Sequence, residues 1–285
     1  MIRSVVVGLD GSAESRAAAE WAAREAKRRF LPLRLVHVWE AVPEPMAVGQ
    51  FLGAETRQRS SELIQREVVE GLKQRHSGLD VSVDQLLGRP AEELTRAATD
   101  AELVVLGSRG MSGLGGFLVG SVGQAVVAHT EQPVVLVRAG EQATGGPVVL
   151  GLDTDHPDDT LLTFAFEAAA RRVTPLRVVH AWNPPPYFAY GLPADPELDA
   201  MLGKQDAATL AEVLRRWKEK YPAVQVVAES RAGSPAVHLT EASRGASLVV
   251  VGRRIRRSPL GAHIGSVTHA VLHHAAAPVA VVAHD

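Results

Sequence analysis

"LVVLGSRGMSGLGGFLVGSVGQAVVAHT", residues 103–130, reads as a buried strand, a glycine-rich turn and a helix. Its middle, 107–121, holds six glycines in fifteen positions, where ordinary usage predicts about one. The run "LVVL" is short and wholly apolar, as strands buried on both faces are, and "VGQAVVAHT" reads as a helix. A glycine-rich turn between such elements has a well-understood use. Successive backbone N–H groups form a concave anion nest, and glycine supplies positive φ without steric cost. The following helix adds unpaired N–H groups and the positive end of its dipole. Ser121 stands at the start of that helix, as a cap or a phosphate contact, and Arg109 adds a cation beside the nest. One helix end contributes only about 0.3–1 kcal/mol to holding an exposed anion. Micromolar binding needs about 8 kcal/mol. A larger ligand, with a base and a ribose as well as phosphates, is therefore expected. The plain alternative is a flexible surface loop.

The flanks of this stretch occur twice. "LVVLGSRG" at 103–110 returns as "LVVVGRRI" at 248–255, and the pair Gly120–Ser121 returns as Gly265–Ser266. Working outward, "VVVGLDGS" at 5–12 matches "VVLGLDTD" at 148–155, so Asp10 maps to Asp153. "LRLVHVW" at 33–39 matches "LRVVHAW" at 176–182, "GRPAEEL" at 88–94 matches "GSPAVHL" at 233–239, and "QPVVLVR" at 132–138 matches "APVAVVA" at 277–283. Order is kept and the offset drifts only from 143 to 145 residues. The chain is two copies of one unit. The expected domains are 1–138 and 147–285, with the small, polar segment 139–146 as linker. The loop ends survive in the second copy although its middle has diverged, which argues against a mere flexible loop.

Each copy alternates strand and helix. In the first, strands are expected at 2–9, 33–39, 81–87, 103–106 and 133–137. Helices are expected at 12–30, near 55–76, from Pro90, which suits a first helical turn, and at 121–130. Ala18, Trp21, Ala22, Glu25 and Ala26 form one stripe of the first helix, and Leu161, Phe164, Ala165 and Ala169 match it in the second copy. Alternation of this kind implies an α/β fold: two tandem Rossmann-like domains, each a five-stranded parallel sheet flanked by helices. Ligands of such sheets bind outside the carboxyl ends of the strands, where strand order reverses. Asp10 and the glycine turn both fall on that rim.

Composition bounds the remaining choices. The chain has 285 residues, 46% hydrophobic and 22% charged, with a net charge of -2, so no global basic field draws nucleic acid. There is no cysteine, which excludes thiolate chemistry and disulfides. The opening apolar run stops at Gly8, and no run reaches the length of a membrane span, so a soluble, cytoplasmic protein is expected. Neither GxxxxGK[ST] nor GxGxxG occurs, which disfavours a Walker-type ATPase and a standard dinucleotide enzyme.

Gly107, two residues, Gly110, nine residues, Gly120 and Ser121 form G-2x-G-9x-G-S/T. With "VVVGLDGS" and "QPVVLVR", this resembles the ATP-binding class of universal stress proteins, across nearly the whole chain as two tandem domains of the adenine nucleotide alpha hydrolase-like type. The resemblance implies that ATP is the ligand, with Mg as an optional companion. It implies that Gly8 and Asp10 meet the adenosine portion, and that Val38 offers backbone groups to the adenine edge. It further implies that Gly107, Ser108, Arg109 and Gly110 approach ribose and phosphates, that Gly120, Ser121 and Val122 hold the phosphates, and that Met111, Ser112 and Gly113 belong to the same cofactor site. By the repeat, the second site takes Gly151, Asp153, Ala181, Gly252, Arg253, Arg254, Gly261, Gly265, Ser266 and Val267. Family members pair through the last strand, so a homodimer is implied; the two copies could also pair with each other. A nucleotide-dependent regulator or sensor in the stress response follows, without nucleic-acid or membrane partners.

The second copy departs from the pattern. Ile255 stands where Gly110 stands, and a positive φ there would strain a β-branched residue. "GRRIRRSP" brings arginines that could replace lost backbone contacts, or the site has decayed. Other features have plain readings. His37 and His180 are expected as hydrogen-bonded core or turn histidines, and His129 and His274 as helix-end cations. His269 and His273 have i, i+4 spacing, but no third zinc ligand is apparent. "TDHPDD" is read as a turn into a helix, and "NPPPYFAYGLP" as a lid or contact surface. Besides a binding module, two alternatives stand. A slow ATPase or phosphotransfer enzyme needs a positioned base near the γ-phosphate, and no repeated residue is obviously aimed there. An interaction protein would leave its sites empty or bind another adenine nucleotide.

Overall fold

The computed structural model describes residues 3–40, 65–108, 119–140, 145–185, 195–255 and 264–285. The chain divides into two compact units, Met1–Glu141 and Gln142–Asp285. Unit one begins with β1 (Ser4–Gly8), whose three central valines are wholly buried. Helix α1 (Ala13–Arg29) follows. Ser12 caps it by accepting from the Ser15 amide, and Lys27, Arg28 and Arg29 complement its carboxyl end. Then come β2 (Leu33–Trp39), a second helix α2 described over 65–75, β3 (Val81–Leu87), α3 (Pro90–Ala98), β4 (Ala101–Ser108), α4 (Ser121–His129) and β5 (Val134–Arg138). Unit two repeats the series as β6 (Val148–Gly151), α5 (Asp159–Arg172), β7 (Leu176–Trp182), α6 (Pro196–Lys220), β8 (Val226–Ala232), α7 (Pro235–Ala242), β9 (Leu248–Arg254), α8 (Ser266–His274) and β10 (Val279–His284).

All pairings within the units are parallel. Unit one runs β3-β2-β1-β4-β5 and unit two β8-β7-β6-β9-β10. In each, the chain builds outward from the first strand and then crosses back to its other side. Strand order therefore reverses between β1 and β4, and between β6 and β9. The carboxyl ends of those pairs bound a crevice. The expected stripe Ala18, Trp21, Ala22, Glu25 and Ala26 is buried, as are Leu161, Phe164, Ala165 and Ala169. Glu25 is tolerated there because Arg29 donates to it at 2.8 Å and Arg28 lies 3.7 Å away.

The repeat extends to features that no short motif carries. Both α1 and α5 end in a left-handed residue, Phe30 (φ 55) and Val173 (φ 52). Arg34 donates to Asp84 at 2.5 Å across β2 and β3, and Arg177 to Glu229 at 2.5 Å across β7 and β8. The Arg177 hydrogen bond holds the Glu229 carboxyl below its usual range.

Glu20 gives a testable acid dependence. Burial pushes its pKa up, yet hydrogen bonds from His76 at 2.7 Å and Arg75 at 3.1 Å bring it below the ordinary 4.5. The folded carboxylate thus holds its proton less tightly than the unfolded one. The resulting stabilisation is full above about pH 4.5 and is lost as pH falls through the folded pKa. Glu20→Gln is expected to cost about 0.5 kcal/mol at pH 7, since solvent screens this half-open pair. Urea titrations should show that difference shrinking toward pH 3. A difference that is constant with pH would contradict the assignment.

Candidate functional site

In unit one the rim is built by the exits of β1, β2 and β4. The Leu9 amide donates to Val36 O at 2.9 Å, and His37 Nδ1 meets Leu9 O at 2.6 Å, which fixes the chain leaving β1. His37 also lies edge-on to Trp39, with ring centroids 4.8 Å apart. It is the expected turn histidine. Asp10 then folds back: Oδ1 accepts from the Ser12 amide at 2.9 Å and from Ser12 Oγ at 2.5 Å. The carboxylate therefore also orients the residue that caps α1.

The described glycines need explaining differently from the way the sequence suggested. Gly107, Gly120, Gly252 and Gly265 all lie outside the left-handed region. What they provide is room. A Cβ on Gly107 would stand 2.7 Å from the backbone of Glu14 and Ser15, so the first turn of α1 rests directly on β4. A Cβ on Gly8 would meet Leu106 Cδ2 at 2.7 Å. Gly120 is the opposite case: with φ -62 and ψ 155, a Cβ there meets no described atom within 4 Å. Gly120, not Ser121, is the cap residue of α4, and no side chain caps that helix. Gly265 heads α8 in the same way, with φ -59, open space at its Cβ and no side-chain cap. The first turns of α4 and α8 thus lack the side-chain caps seen at α1, α5 and α6, as do those of α3 and α7, but of the described helix starts only α4 and α8 are headed by glycine.

Ser108 is buried and its hydroxyl donates to Val137 O at 3.3 Å, within the sheet. Opposite it in register is Arg138, which sequence reasoning missed. Burial lowers its guanidinium pKa to about 10, so it stays charged at neutral pH at the carboxyl end of β5. The only sequence signal is a basic residue closing the apolar run "VVLVR". Val38 lies in register with Leu86. Arg109, Gly110, Met111, Ser112, Gly113 and Gly261 lie outside the described residues.

Unit two shows the crevice as a cavity of about 720 Å³. Gly151, Asp153, Ala181, Gly252, Arg253, Arg254, Gly265, Ser266 and Val267, which the repeat predicts as one site, all line it. Asp153 Oδ1 accepts from the Asp155 amide at 3.1 Å, while Oδ2 lies 3.5 Å from His156 Nδ1 and 3.8 Å from Arg254. His180 Nδ1 meets Leu152 O at 2.9 Å, as His37 meets Leu9 O. Its Nε2 lies 3.1 Å from Asp206 Oδ1 and 3.2 Å from Thr154 Oγ1, and Ser230 donates to Asp206 at 2.6 Å. Ile255 is not strained: among the described residues only Phe30 and Val173 combine a side chain with positive φ. The Ile255 amide donates to His284 O at 2.6 Å, which extends the sheet.

His284 is the second residue that motif reading missed. Its imidazole lies on Gly252, where a Cβ would come within 2.5 Å of Nε2. In unit one that face is covered by the start of α1. Helix α5 starts at Asp159, capped by Asp158, whereas the repeat of Ala13 would be residue 156. Pro157 keeps His156 out of the helix. The missing turn leaves a gap that the imidazole occupies, 3.8 Å from Asp158 Oδ2.

Elsewhere, Asp158 accepts from Thr160 and Leu161, so "TDHPDD" is the expected turn into a helix. His129 Nδ1 reaches Ala125 O at 2.8 Å at the end of α4. His269 and His273 stand with ring centroids 4.4 Å apart. Burial and the neighbouring His273 and His274 lower the pKa of His269. Among the described residues no three metal-binding side chains converge, and no helix is long and apolar enough to cross a membrane.

The fold and rim define a class: tandem doubly wound α/β units, each with a strand-order reversal, where unit two carries a cavity. The family model for universal stress proteins matches residues 1–138 and again 146–283. A universal stress protein of Mycolicibacterium smegmatis is 34% identical over 290 residues, covering 98% of this chain and 96% of that protein. One from Mycobacterium tuberculosis is 35% identical over 291 residues, covering 97% and 96%. The crystal structure of a universal stress protein from Archaeoglobus fulgidus shares the fold at a TM-score of 0.71 and 17% identity, covering 99% of this chain and 98% of that one. The chain belongs to the universal stress protein family, as two tandem domains.

Proposed function

We propose that this protein binds adenine nucleotides, ATP foremost, in the crevices of its two units, and that occupancy regulates its interactions during stress. The observation that carries this reading is the pair of glycine-headed helix starts. Each offers first-turn N–H groups with no side-chain cap, beside a glycine whose missing Cβ serves no described contact. Asp10 and Asp153 follow the strands next to β4 and β9, at the ends where a ribose would meet them. Arg138 in unit one and Arg253 and Arg254 in unit two add cations at the same rims. The reading includes a cytoplasmic homodimer paired through the last strands of its units, without nucleic-acid or membrane partners, and Mg as an optional companion of the nucleotide.

Phosphoryl transfer would require a base held near the γ-phosphate. The repeated rim histidines, His37 and His180, are each held through Nδ1 by a backbone carbonyl, and the His180 Nε2 already lies 3.1 Å from Asp206 Oδ1 and 3.2 Å from Thr154 Oγ1. Calorimetry with ATP, with and without Mg, tests the proposal. Binding in the micromolar range is expected, with retained ATP released when freshly purified protein is denatured. No heat with any adenine nucleotide, and none released, would overturn it. Rapid conversion to ADP would favour the enzyme instead.

A further inference from the structure

We infer that the crevice of unit two is a polyanion site that grips phosphate through side-chain charge, so that inorganic tripolyphosphate binds there about as well as ATP. This deepens the function proposed above and rests on the same crevice being occupied.

The first reason is the balance of charge around the cavity. Among the described lining residues Arg253 and Arg254 are cations, and His156, His180 and His284 are imidazoles. Asp153 is the one carboxylate among them. That carboxylate is already engaged, with the Asp155 amide on Oδ1 and both His156 and Arg254 near Oδ2. A ribose hydroxyl would have to compete for it. The second reason is substitution by place. Arg253 stands where unit one has Ser108, whose hydroxyl is turned into the sheet, and it is 5% exposed while lining the cavity. The Ile255 amide, standing for the Gly110 amide, is bonded to His284 O and is lost as a phosphate donor. One backbone donor is thus engaged at this rim, where Arg253 and Arg254 bring guanidinium groups. The third reason is His284, whose ring replaces a turn of uncharged backbone on the cavity floor. Arginine recognises phosphate oxygens by paired, charge-assisted donors and is indifferent to what the phosphate is attached to. The uncapped first turn of α8 faces the same space.

Amide hydrogen exchange on the full chain separates the two sites, because α4 and α8 report on different units. Tripolyphosphate is expected to protect 266–268 at concentrations close to those of ATP. It should protect 121–123 only at concentrations about tenfold higher or more. Adenosine should leave 266–268 unprotected. Arg254→Gln is expected to raise the tripolyphosphate concentration needed at α8 about tenfold. Asp153→Asn, which releases Arg254, should lower it while weakening ATP relative to tripolyphosphate. Equal protection of both helix starts by tripolyphosphate would overturn the inference. So would an Arg254→Gln protein that melts normally and binds unchanged. Protection of both starts by ATP with none by tripolyphosphate sinks this inference and leaves the nucleotide reading intact. Protection of α8 by tripolyphosphate with none by ATP supports it and sinks that reading for unit two.

Discussion

Gly120→Asp is expected to abolish ATP binding in unit one while making the unit slightly more stable. The backbone at Gly120, φ -62 and ψ 155, is the extended conformation of an ordinary cap residue, and its Cβ position is open among the described residues. Aspartate there would accept from the first-turn amides of α4 and place a negative charge at the positive end of its dipole. Against glycine this contributes about 0.5 kcal/mol. The same carboxylate would occupy the donors proposed for phosphate and repel it. Losing two charge-assisted hydrogen bonds, at about 1.5–3 kcal/mol each, weakens binding about a hundredfold or more. The opposite signs make the test sharp. Urea unfolding should show a stability equal to or above wild type, and calorimetry should lose one of two ATP sites. Gly265→Asp should remove the other. A stable Gly120→Asp protein with two undiminished sites would show that α4 does not hold the ligand.

Phe166→Ala is expected to lower the stability of unit two by about 3–5 kcal/mol. Phe166 has no exposed surface, and its ring stacks on Trp217 at 5.7 Å and Tyr221 at 5.3 Å. It joins α5 to α6, and Lys220 closes the outer side, 4.9 Å from the Trp217 ring. Removing the ring leaves a void bounded by a rigid aromatic stack that cannot collapse into it. A fall in Tm of roughly 10 °C or more should follow, with Trp217 emission shifting red at a lower urea concentration. A smaller loss would mean that α6 repacks onto α5. Unit one carries Ala23 at the matching position, also fully buried, so the repeat does not transmit this contact.

Much of the fold was legible because it rests on strong local signals. Short valine-rich runs such as "VVVG" and "LVVL" read as strands buried on both faces, and their alternation with helical segments implied parallel pairing. The site was legible as far as the repeat kept it. Nine of the ten residues expected in unit two line one cavity, and the tenth, Gly261, lies outside the described residues. A nest at positive φ is not what the described glycines build: Gly107 and Gly252 lie outside the left-handed region and allow close approach, of α1 and of His284. Ile255 does not adopt the positive φ that would strain it, since its amide donates to His284 O and its backbone continues the sheet.

By itself, then, the sequence determined the duplication, the parallel α/β class and the rim on which the unusual residues fall, because periodicity and the alternation of strand and helix are written along the chain. Only the tertiary structure decided that His284 fills the turn missing from α5, that Arg254 approaches Asp153, and that Arg138 stands opposite Ser108 at the carboxyl end of β5. Those contacts join residues about a hundred positions or more from their partners, or strands whose register no local pattern encodes. Their energies come from burial and charge in a space that exists only once the sheet has closed over it.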